Sequence, residues 1–179
     1  MQTLTLLPGR DKAGTPEPFD QIDLRRGELC TIVGNTGSGK SRLIKDIEQL
    51  SDGTGVTARR VLLDGALVPI EQRQAVSTSL VAHLGQNMRF MLDTSVGAFL
   101  RLHAACRQKV VSETDVLAVA NDITPEPIAL KESLNLLSGG QTRALMIADI
   151  ALICDSPIVL VDEIENAGID KQRALSLLQ

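Results

Sequence analysis

The sequence predicts an α/β fold with a mixed or parallel core sheet, an antiparallel β part near the N-terminus and a small inserted helical subdomain. Three observations support this prediction. An apolar run at residues 29–33 leads through a glycine-rich loop into a helical pattern, a hairpin pattern spans residues 60–68, and a second apolar run at 158–161 follows a long helical stretch. With 179 residues, of which 44% are hydrophobic and 22% charged, the chain can bury a core.

The first half of the chain contains a predicted strand, loop, helix and hairpin. Residues 29–33 are mostly apolar and β-favouring, which predicts a buried strand. After the loop, apolar side chains at helical spacing predict a helix that begins near Lys40 and ends at the Asp-Gly pair of 52–53. Two apolar runs around a second Asp-Gly pair, at 64–65, predict an antiparallel hairpin.

The middle of the chain is predicted to be helical. Helix-like spacing covers residues 95–111 and 112–121, after which Pro125 and Pro127 interrupt it. We assign residues 87–137 to an inserted helical subdomain.

The last part of the chain returns to the core domain. A helix is predicted from the Ser-Gly-Gly of 138–140 to about residue 153. The run 158–161 is apolar at each position, which is typical of a parallel strand covered on both faces. The core domain is therefore assigned to residues 1–86 and 138–179.

Charge and composition exclude several classes of function. The formal net charge is −4, so no overall positive field attracts nucleic acid and we expect no direct nucleic-acid partner. No apolar stretch approaches the roughly 20 residues that span a bilayer. The N-terminus also lacks the basic and apolar parts of a secretory signal, so the expected location is the cytoplasm.

Neither the cysteines nor the histidines have the spacing of a disulfide framework or a metal site. Cys30, Cys106 and Cys154 form an odd set without a CxxC pair, so we expect reduced thiols packed in the core. His83 and His103 are expected to be ordinary core or surface histidines rather than ligands.

The loop after the first predicted strand matches the phosphate-binding pattern G-x-x-x-x-G-K-[ST] at every fixed position. Its residues are Gly34, Asn35, Thr36, Gly37, Ser38, Gly39, Lys40 and Ser41. Glycines in such a loop let backbone N–H groups point at phosphate oxygens, and the following helix adds its positive N-terminal end. In this pattern Lys40 contacts the β- and γ-phosphates and Ser41 holds Mg²⁺. The alternative is a glycine-rich connector without a ligand, against which the flanking strand and helix patterns argue.

A pair of carboxylates follows the last predicted strand. Asp162 lies at the C-terminal tip of the run 158–161, where it can bind Mg²⁺ through water, and Glu163 can orient or deprotonate an attacking water. Alone, an apolar run that ends in Asp-Glu is commonly just a strand that ends in solvent. Together with the phosphate-binding loop, it predicts a site for a magnesium nucleotide.

A second glycine-rich helix start, Leu-Ser-Gly-Gly-Gln, occurs at residues 137–141. Ser138 can donate its hydroxyl to an anion, while Gly139 and Gly140 leave backbone N–H groups uncovered. Alone, this segment, which ends in Gln141, would be interpreted as an N-cap with a loose turn.

With these three motifs, the sequence resembles the ATP-binding cassette (ABC) ATPases over nearly its whole length. Residues 34–41 correspond to the family's Walker A loop, 158–163 to its Walker B strand and 137–141 to its signature. Gln86 falls where the family has the Q-loop glutamine that senses Mg²⁺ and the attacking water; alone, it would be interpreted as a polar residue that ends a strand. The resemblance implies a P-loop NTPase fold, ATP and Mg²⁺ as cofactors, and ATP hydrolysis.

The resemblance also implies a role for each residue of the three motifs. The catalytic residues would be Glu163, Gln86 and Lys40, and the Mg²⁺ ligands would be Ser41, Gln86 and Asp162. The nucleotide would be bound by the whole Walker A loop and by Ser138, Gly139, Gly140 and Gln141.

The expected partners follow from the same resemblance. Two nucleotide-binding domains of the family close head to tail, so that the signature of one chain meets the γ-phosphate held by the other. Two anion-binding helix starts on one chain cannot easily point at the same nucleotide. A two-fold axis would instead pair the helix start of one chain with that of the other across an interface. We therefore expect a nucleotide, a second nucleotide-binding domain in a homodimer or heterodimer, and a membrane-spanning transporter subunit that holds the chain at the inner face of the membrane.

Two other functions stay open at this point. One is a soluble ABC ATPase that acts as a clamp or assembly factor without a transporter. The other is a nucleotide-binding regulatory module without turnover, against which the carboxylate of Glu163 argues, since pure binding does not need it.

The sequence departs from the family pattern at three places. No aromatic residue occurs at 9–13, where the family stacks adenine, so the choice between ATP and GTP stays open. The segment after Glu163 is one residue longer than the family's D-loop, with Asp170 as the best match for its closing Asp. The family's switch histidine is missing from the 16 residues after Glu163, so we expect a C-terminally truncated domain with weak or no hydrolysis.

Overall fold

The computed structural model describes residues 1–75, 80–85, 88–162 and 168–179. The chain divides into two units, Met1–Ala75 and Val76–Gln179, and each is described by itself. The predicted helical subdomain at 87–137 falls inside the second unit, and its boundaries stay a prediction.

An antiparallel sheet of four strands is the centre of the first unit as described. Its order is β2-β1-β3-β4, with β1 at Thr3–Leu7, β2 at Ile22–Arg25, β3 at Arg60–Leu63 and β4 at Ala66–Leu67. Leu4 and Leu6 of β1 are buried, and Leu6 pairs with Val61 of β3, which is fully buried. These apolar pairs on neighbouring strands stabilise the sheet.

The predicted hairpin around residues 64–65 is confirmed. Leu62 pairs with Leu67 and Leu63 pairs with Ala66 in an antiparallel ladder. Both turn residues have a positive φ, 49° at Asp64 and 83° at Gly65. A two-residue hairpin turn needs this backbone in both positions when it follows the right-handed twist of the strands, which is why Asp-Gly is a strong hairpin signal.

The predicted buried strand at residues 29–33 is wrong. Leu29 is 58% exposed and Val33 is 84% exposed, and the segment pairs with no strand among the described residues. An apolar, β-favouring run becomes a strand only where a neighbour satisfies its backbone N–H and C=O groups. In the first unit, the strand that precedes this segment, β2, ends at Arg25 and pairs with β1. The segment at 29–33 follows β2 without joining the sheet.

The helix predicted after the loop is confirmed as α1, Lys40–Glu48. Ile47 and Leu50 at its C-terminal end are buried, and Leu50 has a left-handed φ of 47°, which stops the helix. A short helix, α2, follows the hairpin at Ile70–Arg73.

The second unit combines two parallel strands with a group of helices. Strands β5 (Val81–Leu84) and β6 (Ile158–Val161) pair in parallel, with Val81 opposite Ile158 and Leu84 opposite Val161. The helices are α3 at Val96–Cys106, α4 at Glu113–Ile123, α5 at Gly139–Asp149 and α6 at Lys171–Leu177. The predicted strand at 158–161 and the helices predicted over 112–121 and 138–153 are thus confirmed, while the helix predicted over 95–111 ends at Cys106.

Helix α5 lies at the centre of the second unit. Its residues from Gln141 to Asp149 are all buried, and a π-helical turn, Ile150–Cys154, continues it. On one side Leu145 packs in a cluster with residues of α3 and α4, and on the other Ile147 packs with residues of β5. A helix that is buried on all sides is held rigidly by its neighbours, so side chains that project from α5 are well positioned.

Serine side chains begin three of these helices. Ser95 accepts a hydrogen bond from the N–H of Ala98, Ser112 from that of Thr114, and Ser138 from that of Gln141. Such N-caps each contribute about 1 kcal/mol to helix stability.

Among the described residues, no helix combines the length and the hydropathy that a membrane crossing requires.

Candidate functional site

The loop at residues 34–41 lies in the first unit and closes on its own lysine. Lys40 Nζ donates hydrogen bonds to the carbonyl oxygens of Gly34 and Asn35, the latter at 3.0 Å. A Cβ added at Gly34 would lie 2.7 Å from Ser38 Oγ, so a larger residue here would require the Ser38 side chain to rotate away. Backbone carbonyls therefore hold the ammonium group next to the loop. A bound anion could replace these carbonyls as its hydrogen-bond acceptor.

In the described part of the chain, no side chain caps the N-terminus of α1. Its N-cap is Gly39, with a left-handed φ of 94° and no side-chain cap, and its first turn has no acidic residue. The N–H groups of Gly39, Lys40 and Ser41 have no hydrogen-bond acceptor among the described residues. By contrast, the starts of α3, α4, α5 and α6 are capped by Ser95, Ser112, Ser138 and Asp170. The positive end of α1 is therefore open to an anion such as phosphate.

The second glycine-rich helix start lies at the beginning of α5, in the second unit. Ser138 and Gln141 form a capping box: Ser138 Oγ accepts from the N–H of Gln141 at 3.2 Å, and Gln141 Oε1 accepts from the N–H of Ser138 at 2.9 Å. The N-cap interpretation is thus correct for Ser138. The N–H groups of Gly139 and Gly140 find no acceptor in the described part of the chain, so they can also bind an anion.

Sequence reasoning missed Glu126 as a neighbour of this helix start. Ser138 Oγ donates a hydrogen bond to Glu126 Oε2 at 2.6 Å, and Gln141 Nε2 donates to the carbonyl of Pro127 at 3.1 Å. The signal in the sequence was a carboxylate between two prolines, which fix its backbone. An anion that approaches Ser138 must therefore compete with this carboxylate.

The predicted metal ligand Asp162 lies just after β6. Its N–H donates to the carbonyl of Leu84 at 2.9 Å, so the pairing of β5 and β6 extends one residue beyond the strands, and its side chain is exposed. The carboxyl ends of parallel strands lie at the same edge of a sheet, where ligand sites of α/β proteins occur. Gln86 and Glu163 lie outside the described residues.

Arg143 on α5 was not predicted to be part of the site, yet it contacts this sheet edge. Its Nη1 donates to the carbonyl of Gly85 at 2.8 Å and its Nη2 donates to the carbonyl of Asp162. The sequence signal was a basic residue directly before the apolar run at 144–148. Sequence patterns do not show which carbonyl oxygens such a residue reaches.

The structure thus brings together some of the predicted residues. The loop at residues 34–41 lies within the first unit, while residues 137–141 and Asp162 are linked within the second through α5. Asp170, the predicted closing residue of the D-loop, is the N-cap of α6, where its Oδ1 accepts from the N–H groups of Gln172 and Arg173.

A separate cluster in the second unit joins α3 to the end of α5. His103 Nδ1 lies 2.7 Å from Asp149 Oδ1, and Cys154 Sγ donates to Asp149 Oδ2 at 3.8 Å. The three residues have donor types that could hold a metal ion, with ligand atoms within 4.8 Å of one another. Arg107 closes the cluster by donating to His103 Nε2 at 3.4 Å and to Cys154 Sγ at 3.8 Å. Its positive charge opposes a second cation, so we interpret the cluster as a hydrogen-bonded ring.

The prediction that all three cysteines are core thiols is wrong for two of them. Cys30 and Cys106 are exposed, and Cys154 is half-buried. Cys30 belongs to the unpaired segment at 29–33, and Cys106 is the last residue of α3. A cysteine side chain is buried only where other parts of the chain pack against it. Composition and spacing do not reveal that packing.

Cys154 is expected to react with iodoacetamide far more slowly than Cys106 at pH 8. Burial, together with the carboxylate of Asp149, raises the pKa of the Cys154 thiol to about 11. The thiolate is the reactive form, so only about one Cys154 in a thousand is reactive at pH 8, and the rate should rise about tenfold per pH unit up to pH 11. Mass spectrometry of time-resolved labelling measures this, with Cys106 as the internal control. Equal rates at pH 8 would contradict the environment described for Cys154.

Comparison with known proteins identifies the family. The family model described as ABC transporter matches residues 20–166. An uncharacterized ABC transporter ATP-binding protein of Methanocaldococcus jannaschii is 48% identical over 182 residues, which cover 99% of this chain and 69% of that protein. The nickel import ATP-binding protein NikD of Pseudomonas putida is 32% identical, with 79% of this chain and 57% of that protein covered.

Solved structures show the same fold. A putative ABC transporter ATP-binding protein from Pyrococcus furiosus superposes with a TM-score of 0.65 at 20% identity, covering 98% of this chain and 82% of that one. The structure of cbiO1 from Clostridium perfringens, part of an ABC transporter complex, gives a TM-score of 0.62 at 23% identity, covering 98% and 71%. The predicted α/β P-loop fold is confirmed by these structures. Since the family model matches most of the chain, the protein belongs to the family of ABC transporter ATP-binding proteins.

Proposed function

We propose that this chain is the ATP-binding and ATP-hydrolysing subunit of an ABC transporter, which dimerises head to tail on Mg-ATP and drives a membrane-spanning partner. The observation that carries the proposal is the open N-terminus of α1. It has neither a cap nor an acidic residue, and Lys40 is poised over the loop before it. The negative charge of a triphosphate would complement the positive N-terminal end of α1 and the ammonium group of Lys40.

The donor atoms of this chain fit the cofactor Mg²⁺. Mg²⁺ prefers hard oxygen ligands, and the hydroxyl of Ser41 and the exposed carboxylate of Asp162 are of this kind. We propose that these two residues and Gln86 hold the ion. When bound, it would neutralise charge on the transferred phosphate.

Each remaining residue has a proposed role in the reaction. Lys40 stabilises negative charge on the γ-phosphate, and Glu163 polarises the attacking water. Ser138, Gly139, Gly140 and Gln141 contact the γ-phosphate held by a second nucleotide-binding domain. The uncovered N–H groups of Gly139 and Gly140 support this role, since one chain otherwise carries two anion-binding helix starts for one nucleotide.

The names of the relatives support a transporter rather than a clamp or a regulatory module. One relative is named as a nickel import protein, and a zinc import ATP-binding protein of Aliivibrio fischeri is 31% identical over 88% of this chain. The chain spans just over half the length of both, at 57% and 56%. We place it at the cytoplasmic face of a membrane, bound to a membrane-spanning subunit.

A dimer trap tests this proposal. Glu163→Gln is expected to remain able to bind Mg-ATP while losing the weak turnover expected of the wild-type chain, so that the head-to-tail dimer accumulates. Sedimentation velocity should then show a species of twice the monomer mass with Mg-ATP but not with Mg-ADP. The dimer should disappear when Ser138→Arg is added, because a bulky cation replaces the hydroxyl at the shared contact. A Glu163→Gln chain that stays monomeric in saturating Mg-ATP would contradict the shared site.

A further inference from the structure

We infer that Arg143 is a positioning residue that fixes the backbone at Gly85 and Asp162, where the chain leaves β5 and β6. The inference rests on the proposed function, since Asp162 is proposed to bind Mg²⁺. It adds to that function a residue that lies outside all of the motifs described above.

The contacts of Arg143 converge on the carboxyl ends of β5 and β6. The residue is only 7% exposed and projects from α5, which is buried from Gln141 to Asp149. Nη1 donates to the carbonyl of Gly85 at 2.8 Å, and Nη2 donates to the carbonyl of Asp162. One guanidinium group therefore joins the ends of two parallel strands.

These two carbonyl groups occupy special positions in the chain. Gly85 immediately precedes Gln86, and Asp162 immediately precedes Glu163. A hydrogen bond to a carbonyl fixes the plane of its peptide unit, and that peptide unit includes the N–H of the next residue. Arg143 thus orients the two peptide units through which the chain leaves β5 and β6, and with them Asp162, a proposed Mg²⁺ ligand.

The chemistry of these contacts requires arginine. The guanidinium is a planar fork whose N–H donors have fixed directions, so it can bridge two carbonyl oxygens at once. A lysine ammonium is a single point charge on a flexible stem, and it cannot hold both peptide units in the same geometry. A merely electrostatic role would accept lysine, whereas a bridging role would not.

The position of Arg143 on α5 also links the site to the signature. Ser138 is the N-cap of the same helix, and the residues between the two are part of its first turns. Because α5 is packed on several sides, a shift of its N-terminus moves Arg143 with it. The start of α5 and the sheet edge that carries Asp162 are thus joined through one helix.

Metal affinity in the presence of ATP tests the inference without requiring turnover. The variants are Arg143→Lys, which keeps the charge, and Arg143→Gln, which can still donate to one carbonyl. Mn²⁺ binding to the protein–ATP complex is followed by electron paramagnetic resonance, and ATP binding in EDTA is measured in parallel. Both variants are expected to bind Mn²⁺ about tenfold more weakly, the effect typical of groups that orient ligands, while ATP affinity in EDTA changes less than about twofold.

The control is Arg173→Lys, in an exposed arginine that pairs with Asp122 on the surface of the same unit. It should leave Mn²⁺ affinity unchanged. Unchanged Mn²⁺ affinity in Arg143→Lys overturns the inference, and so does loss of far-UV circular dichroism in both Arg143 variants, because Arg143 would then serve the fold alone. A wild-type chain that binds no ATP contradicts the proposed function instead, so the two failures are distinguishable.

Discussion

Lys40→Ala is expected to weaken ATP binding by at least about 100-fold. The ammonium group is the only side-chain cation that the phosphate-binding pattern places on the β- and γ-phosphates. Each charge-assisted hydrogen bond contributes about 1.5–3 kcal/mol, so two of them account for a loss of this size. Isothermal titration calorimetry with ATP in the presence of Mg²⁺ measures the effect directly.

The contacts of Lys40 in the structure explain why the loss should be confined to binding. Nζ is bonded to the carbonyls of Gly34 and Asn35, and these two bonds are exposed to water. Removing hydrogen bonds that water can replace costs little stability. Lys40→Ala should therefore unfold at nearly the same temperature as the wild type.

Lys45→Ala is the matched control for this experiment. Lys45 lies on the same helix, is exposed and carries the same charge, but it is in the last turn rather than the first. Its removal tests whether general electrostatic attraction of ATP explains the effect. If Lys45→Ala weakened binding as much as Lys40→Ala, or if Lys40→Ala bound ATP normally, the assigned phosphate contact would be wrong.

Local signals in the sequence predicted most of the elements of the fold. Serine caps, helical spacing and the Asp-Gly hairpin turn act through neighbours a few residues away, and the structure confirms the helices and the hairpin that they predicted. The run at 29–33 failed because a strand depends on partners elsewhere in the chain. Its composition was typical of a core strand, but two of its side chains are largely exposed.

Part of the candidate site could not be predicted for the same reason. The glycine pattern at 34–41 predicts a phosphate-binding loop from consecutive residues alone. Arg143 reaches carbonyl oxygens 58 and 19 residues away, and Glu126 meets Ser138 across 12 residues. Contacts between such distant residues arise from the packing of helices and strands, which periodicity alone does not specify.

A buried ion pair involves helix α1, which follows the proposed phosphate-binding loop. Asp46 of α1 and Arg59, just before β3, are 4% and 5% exposed, and the guanidinium of Arg59 bonds both to Asp46 and to Glu17. Thr57 Oγ1 also donates to Asp46 Oδ2 at 2.9 Å. Through Arg59, helix α1 is therefore linked to the start of β3 and to the N-terminal segment that contains Glu17.

Arg59→Ala is expected to destabilise the protein by about 3–5 kcal/mol. The substitution leaves the carboxylate of Asp46 buried without its cation, and an uncompensated buried charge costs about this much free energy. Urea unfolding followed by far-UV circular dichroism measures the loss, since the chain has no tryptophan or tyrosine to report by fluorescence. The control Arg173→Ala removes an exposed pair with Asp122, which should contribute only about 0–1 kcal/mol.

The double variant Asp46→Leu with Arg59→Met separates the two components of this effect. If the cost comes from the orphaned charge, replacing both partners by apolar side chains of similar volume should restore most of the stability lost in Arg59→Ala. Glu17, which is more exposed than Asp46, can turn to solvent when its partner is removed. A double variant as unstable as Arg59→Ala would instead show that the geometry of the pair, rather than the unpaired charge, fastens α1 to the sheet.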